Sequence, residues 1–68
     1  QIENDLRKLV DNLPEEQKEV VMMRYFGDLS FKEIAEQTNV SINTALGRMR
    51  YALINLRKMI KENQLILT

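Results

Sequence analysis

The stretch from Ser30 to Met49 leaves this chain little choice of fold. Ser30 and Glu33 have the Ser-x-x-Glu spacing of a capping box, in which the hydroxyl and the carboxylate each satisfy one free amide at a helix start. A short helix over about residues 31–37 is expected next, with Phe31, Ile34 and Ala35 inward. Thr38-Asn39-Val40 makes a tight turn, and Asn39 can take the left-handed backbone conformation at modest cost. Ser41 is a second N-cap, opening a helix that runs to about Asn63. Two capped helices joined by three or four residues form a helix-turn-helix. Ala35 is small where the helices should cross, and Val40 and Ala45 supply the apolar contacts that set the crossing. On this pattern alone a plain helical hairpin within a bundle also remains open.

The other long segments are helical too. Ile2, Leu6, Leu9, Val10 and Leu13 recur at three- and four-residue spacing, giving a first helix over 2–13 with one apolar face. Pro14 breaks that run and suits the first position of a new helix, where Glu15 and Glu16 favour its positive end. This second helix should run from Pro14 to Phe26, with Gly27-Asp28 ending it. The tail from Gln64 to Thr68 is ambiguous between helix and fraying end. The expected fold is therefore all-α, a single four-helix domain over residues 1–68 with a long C-terminal recognition helix.

A helical wheel divides the last helix. Ala45, Met49, Ala52, Leu53, Leu56 and Ile60 form the core stripe, with Ile42 close by, and Asn43, Gly47, Arg50, Ile54, Arg57, Lys58 and Lys61 face the other way. The outer face begins with hydrogen-bonding groups and a glycine and becomes basic further on, the order a helix needs to read base edges first and meet phosphates later. The net charge of zero hides the same division. Residues 1–40 carry nine acidic and five basic side chains, net −4, whereas residues 41–68 carry five basic and one acidic, net +4. Such asymmetry points to two different partners, or to chance on a short chain.

Individual roles follow. Asn43 can bond a base edge or a phosphate, and Arg50 can pair two-pronged with guanine. Gly47 costs about 1 kcal/mol of helix stability relative to alanine, which either close approach of DNA or close helix packing would justify. Ser30, Ser41 and Thr44 lie at helix starts, where amides and hydroxyls bind phosphates; for the serines, capping alone is the competing account. Arg48 lies at the edge of the core stripe, its head free to reach a phosphate, Glu33 or Glu36. Lys32 and Lys58 are further candidate phosphate contacts, although Lys58 and Lys61 read first as a solvated face and only second as DNA contacts. On the second helix, Val20, Val21, Met22, Met23, Tyr25 and Phe26 leave almost no polar side, and so small a domain cannot bury all six. Val21, Met22, Tyr25 and Phe26 are the expected partner-binding set.

Together these residues resemble region four of bacterial RNA polymerase sigma factors of the extracytoplasmic-function (ECF) group. The matching residues are Leu13-Pro14-Glu15-Glu16-Gln17-Lys18-Glu19-Val20, Arg24-Tyr25-Phe26, Leu29 to Glu36, Val40 to Thr44 and Gly47-Arg48-Met49, with the basic helix end beyond. The resemblance implies recognition of the minus-35 promoter element by the last helix, docking on the β-subunit flap of core polymerase through an outer apolar surface, and control by an anti-sigma protein. It carries DNA contacts to Asn43, Leu46, Gly47, Arg50 and Tyr51. Leu46 stands where a basic residue is usual and Tyr51 where arginine is usual, which implies fewer phosphate or base bonds and an unusual promoter sequence. A LuxR-type effector domain of response regulators shares the Ser-x-x-Glu-Ile-Ala stretch, but the Leu-Pro start, the Arg-Tyr-Phe and the long last helix favour the sigma resemblance.

Other classes of function are disfavoured. With no cysteine and no histidine there is no thiolate metal site and no imidazole base, and neither a nucleophile–base pair nor a glycine-rich phosphate loop is present. No enzyme activity, cofactor, metal or small-molecule substrate is expected. No apolar run nears the roughly 18 residues of a membrane span, and cytoplasmic location is the default. Because the chain begins with Gln1, it reads as a piece of a longer protein. A protein-interaction module that no longer binds DNA is the rival from another class.

Overall fold

The computed structural model describes residues 2–62, with side chains from Asp5 onward. Among them the chain forms four helices and no strand: α1 (Ile2–Asp11), α2 (Glu15–Val21), α3 (Phe31–Thr38) and α4 (Ile42–Glu62). The side chain of Ile2, the helix end expected at Asn63 and the tail 64–68 lie outside the described residues. No described helix is long and apolar enough to cross a membrane.

Local chemistry accounts for most boundaries. After α1 the chain tightens, Asn12 N donating to Leu9 O and Leu13 N to Val10 O, both at 3.0 Å. Pro14 is the N-cap of α2 rather than its first residue; its carbonyl accepts from Lys18 N at 2.9 Å. At α3 the capping box is complete, with Ser30 N donating to Glu33 Oε1 at 2.9 Å and Glu33 N to Ser30 Oγ at 3.1 Å. Asn39 closes α3 at φ 58°, and Val40 N donates back to Ala35 O at 3.0 Å. Ser41 caps α4, its Oγ accepting from Thr44 N at 3.1 Å and donating to Thr44 Oγ1 at 2.9 Å.

The second helix departs from expectation. Beyond α2 it widens into a π-helical turn, Met22–Phe26, with Gly27 N donating to Met22 O at 2.9 Å. Gly27 is needed there for space, because a Cβ would sit 2.8 Å from Met23 O, and it is Asp28 that takes the left-handed conformation at φ 54°. Two arginines hold the widened end: Arg24 donates to Leu29 O at 3.0 Å with its guanidinium 5.4 Å from the Phe31 ring centre, and Arg7 lies 5.1 Å from that of Phe26.

One core joins the helices. Leu9, Val10 and Leu13 meet Val20 and Val21, Ile34 and Ala35 of α3, and Ala45, Met49, Ala52 and Leu56 of α4. Ala35, Ala45 and Ala52 are all buried, and their small side chains let α4 pack closely on its neighbours. Leu53 and Ile60 are only half-buried, as is Phe31; Leu6 and Ile42, placed on or near apolar stripes by the wheel, are exposed.

The Glu33 carboxyl is held below its ordinary value, first by the Ser30 amide and then by the Ser30 hydroxyl. Its folded pKa is depressed, so its contribution to stability is present above the unfolded value and is lost as pH falls through the folded one. Glu33→Gln keeps an acceptor there but does not titrate. On acidification below the carboxylate range, the native chain should lose stability relative to Glu33→Gln. Urea midpoints measured across that range check this; a gap that stays constant with pH would show that the charge contributes nothing.

Candidate nucleic-acid interface

The outward side of α4 is built by the stripe on its other side. With Ala45, Met49, Ala52 and Leu56 buried, helical geometry turns Asn43, Arg50, Ile54 and Arg57 to solvent. Thr44, Leu46 and Tyr51 are exposed beside them, Tyr51 at 61%. Gly47 lies among these residues, and a Cβ built on it meets nothing within 4 Å. That removes helix packing within the domain as the reason for glycine at this position. Gly47→Ala should therefore raise stability by about 1 kcal/mol, read as a higher melting temperature; a drop would mean that the position is tighter than its open surroundings indicate.

The structure sorts the expected site residues into three grooves. Thr44, Gly47, Arg48 and Tyr51 line one together with Pro14, Glu15, Glu16 and Gln17 from the start of α2. Leu46 and Arg50 line a second with Met49, Leu53, Ile54 and Arg57. Lys32 and Ser41 line a third, at the helix-turn-helix turn, with Ile42 and Asn39. Asn43 is exposed in the first turn of α4, Ser30 is exposed at the start of α3, and Lys58 lies near the far end of α4, in none of these grooves. The Ser30 and Ser41 hydroxyls both serve as caps.

The start of α2 is the part of this surface that sequence reasoning missed. Of the two carboxylates that the sequence offers Arg48, Glu33 and Glu36, neither is its partner; its Nε lies 3.7 Å from Glu16 Oε2. Nearby, the half-buried Asn55 Nδ2 donates to Gln17 Oε1 at 2.7 Å, tying α2 to α4. In the sequence, Glu15 and Glu16 indicate only a preference for the helix N-terminus. Their place beside α4 depends on how two distant segments cross, and no local spacing encodes it.

A fourth groove, on a different face, is lined by Leu6, Val10, Val21, Tyr25, Phe26, Leu53 and Leu56. Tyr25 is 64% exposed and Phe26 47%, and Met22 is half-buried. Val21 corrects the expected partner-binding set. At 2% exposure it is a core residue, turned inward beside Val20, and it reaches the groove only as its floor.

Residues 3–53 match the family model described as Sigma-70, region 4. The chain is 35% identical over 63 residues to RNA polymerase sigma factor SigV of Bacillus subtilis (strain 168), covering 93% of this chain and 38% of that protein. It is 36% identical over 53 residues to ECF RNA polymerase sigma factor RpoE of Cereibacter sphaeroides, covering 78% of this chain and 29% of that protein. The chain thus spans between a quarter and two-fifths of the length of these curated relatives. No solved structure matches it. The matched residues take in the Leu13-Pro14 start, the capped helix-turn-helix and the outward side of α4 as far as Leu53, and with two sigma factors as relatives they show that the chain belongs to the sigma-70 region 4 family.

Proposed function

We propose that this domain reads the minus-35 element of promoter DNA for a sigma factor, with α4 in the major groove. The observation that carries the reading is the uncovered side of α4, where Asn43 and Arg50 are exposed and the half-buried Gly47 between them has open space where a side chain would be. A helix of about 10–12 Å diameter fits the major groove, and glycine lets the backbone approach the base edges. Ser41, Thr44 and Lys32 flank that side near the turn, where they would meet phosphates, with Ser30 and Lys58 as outlying contacts. Arg48 would have to leave Glu16 to bind a phosphate, whereas Arg50 has no carboxylate partner among the described residues.

The printed names of the relatives support an assembly with RNA polymerase. In this reading the Tyr25–Phe26 groove receives the β-subunit flap, an anti-sigma protein can cover either surface, and the work is recognition without catalysis in the cytoplasm. A titration of the chain on promoter-like duplexes at rising salt tests the central statement. Binding through several phosphates should weaken steeply, log affinity falling with log salt at roughly 0.9 per phosphate neutralised. A flat response, or no binding, would leave the domain as a protein-interaction module.

A further inference from the structure

The reading side of α4 carries two apolar side chains that the domain does not use. Ile42 is 46% exposed and Leu46 43% exposed. They stand four residues apart, one turn above the other on one side of the first two turns of α4, beside Asn43 and Gly47. Leu46 shares a groove with Arg50 and Arg57. Ile42 lies in the groove at the turn with Lys32 and Ser41. Apolar groups are thus interleaved with basic and hydrogen-bonding ones where a duplex would enter.

Leucine has neither donor nor acceptor, so Leu46 can bond neither a phosphate nor a base edge. Of all the groups that the four base pairs present in the major groove, one is apolar, the 5-methyl group of thymine. We propose that Leu46, with Ile42 beside it, reads that methyl group, so that the sequence recognised contains a thymine close to the guanine paired with Arg50. One helical turn advances about 5.4 Å, against about 3.4 Å per base along a strand, so the thymine lies one or two base steps from that guanine. The inference rests on the DNA-reading function proposed above and adds to it a chemical feature of the ligand. Arg50 and Arg57, which share the groove with Leu46, favour a polyanion carrying methyl groups over an apolar protein surface.

The test selects bound duplexes from a random pool with the chain. Each thymine of the selected sequence is then replaced in turn by deoxyuridine, which removes the methyl group and leaves every hydrogen-bonding group in place. At one or two thymines within two base steps of the guanine that Arg50→Ala ceases to require, the replacement should lower affinity about three- to fivefold, the hydrophobic worth of one methyl group. With Leu46→Ala, thymine and uracil duplexes should bind alike at the position that Leu46 reads. Both side chains are substantially exposed, so Leu46→Ala and Ile42→Ala should keep the fold, which circular dichroism checks. Uracil duplexes binding as well as thymine ones to the native chain would overturn the inference and leave Ile42 and Leu46 to a protein partner. A uracil penalty that persists in both variants would overturn it too, placing the methyl contact elsewhere. Failure to bind any duplex would instead remove the DNA reading itself.

Discussion

Ile34→Ala should leave a large share of the chain unfolded at room temperature. Ile34 is fully buried and is one of the largest side chains in the core. Truncating a buried isoleucine costs about 2–5 kcal/mol, lost transfer energy plus the cavity left behind. A domain of this size rarely has more than about 3–5 kcal/mol to lose. The effect should fall hardest on α3, which has eight residues, too few to be helical alone, and buries only Ile34 and Ala35. Its capping box and the bond from Thr38 Oγ1 to Ile34 O, 2.7 Å long, survive the substitution but are local, and they do not attach α3 to the rest. Urea unfolding followed by circular dichroism should show the midpoint moved close to zero denaturant. Ile54→Ala, at an exposed position on α4, is the control and should change stability little. An Ile34→Ala chain within 1 kcal/mol of the native one would mean that α3 is held by something other than this core.

The features readable from the sequence were those with local causes. Both helix starts of the helix-turn-helix were fixed by residues three apart, Ser30 with Glu33 and Ser41 with Thr44, and the turn by one asparagine that tolerates positive φ. The outward side of α4 followed from the periodicity of Ala45, Met49, Ala52 and Leu56, because one buried stripe determines what lies opposite it. Features that depend on contacts between distant segments were not readable. The π-helical turn at Met22–Phe26 has the same apolar composition as an α-helix would, and its widening shows only in where the amides of Gly27 and Leu29 find their carbonyls. Arg48 has five carboxylates nearer in sequence than Glu16, Glu33 and Glu36 among them, yet the crossing of α2 over α4 brings Glu16, 32 positions away, to it. Ile42 lies at the edge of the stripe by angle but in the first turn of α4, where the core does not reach it. Val20 and Val21 look equivalent to Tyr25 and Phe26 in a run broken only by Arg24; tertiary packing buries the first pair and exposes the second.

Arg50→Ala should weaken DNA binding by about 1–3 kcal/mol, roughly 5- to 150-fold, and relax the preference at one base pair. Arg50 is exposed on the reading side and pairs with no carboxylate among the described residues, so it approaches the duplex without first losing an intramolecular partner. Its substitution should leave the fold intact, because its side chain takes no part in the core. What distinguishes base reading from simple attraction is the form of the loss. A guanine contact made through two bonds disappears for the matching duplex and hardly matters for a duplex with that base pair changed. Lys61→Ala, near the basic end of α4, should behave oppositely: a small loss, equal for every sequence, with the salt slope reduced by about one phosphate if the lysine touches DNA at all. Measured on matched and single-mismatch duplexes, the two variants separate the roles. If Arg50→Ala weakened all duplexes equally, Arg50 would be a phosphate contact and the base-reading groups would have to lie nearer Asn43 and Leu46. If it weakened none, α4 would not be entering the groove by the side bearing Arg50, and the open space over Gly47 would need a different explanation.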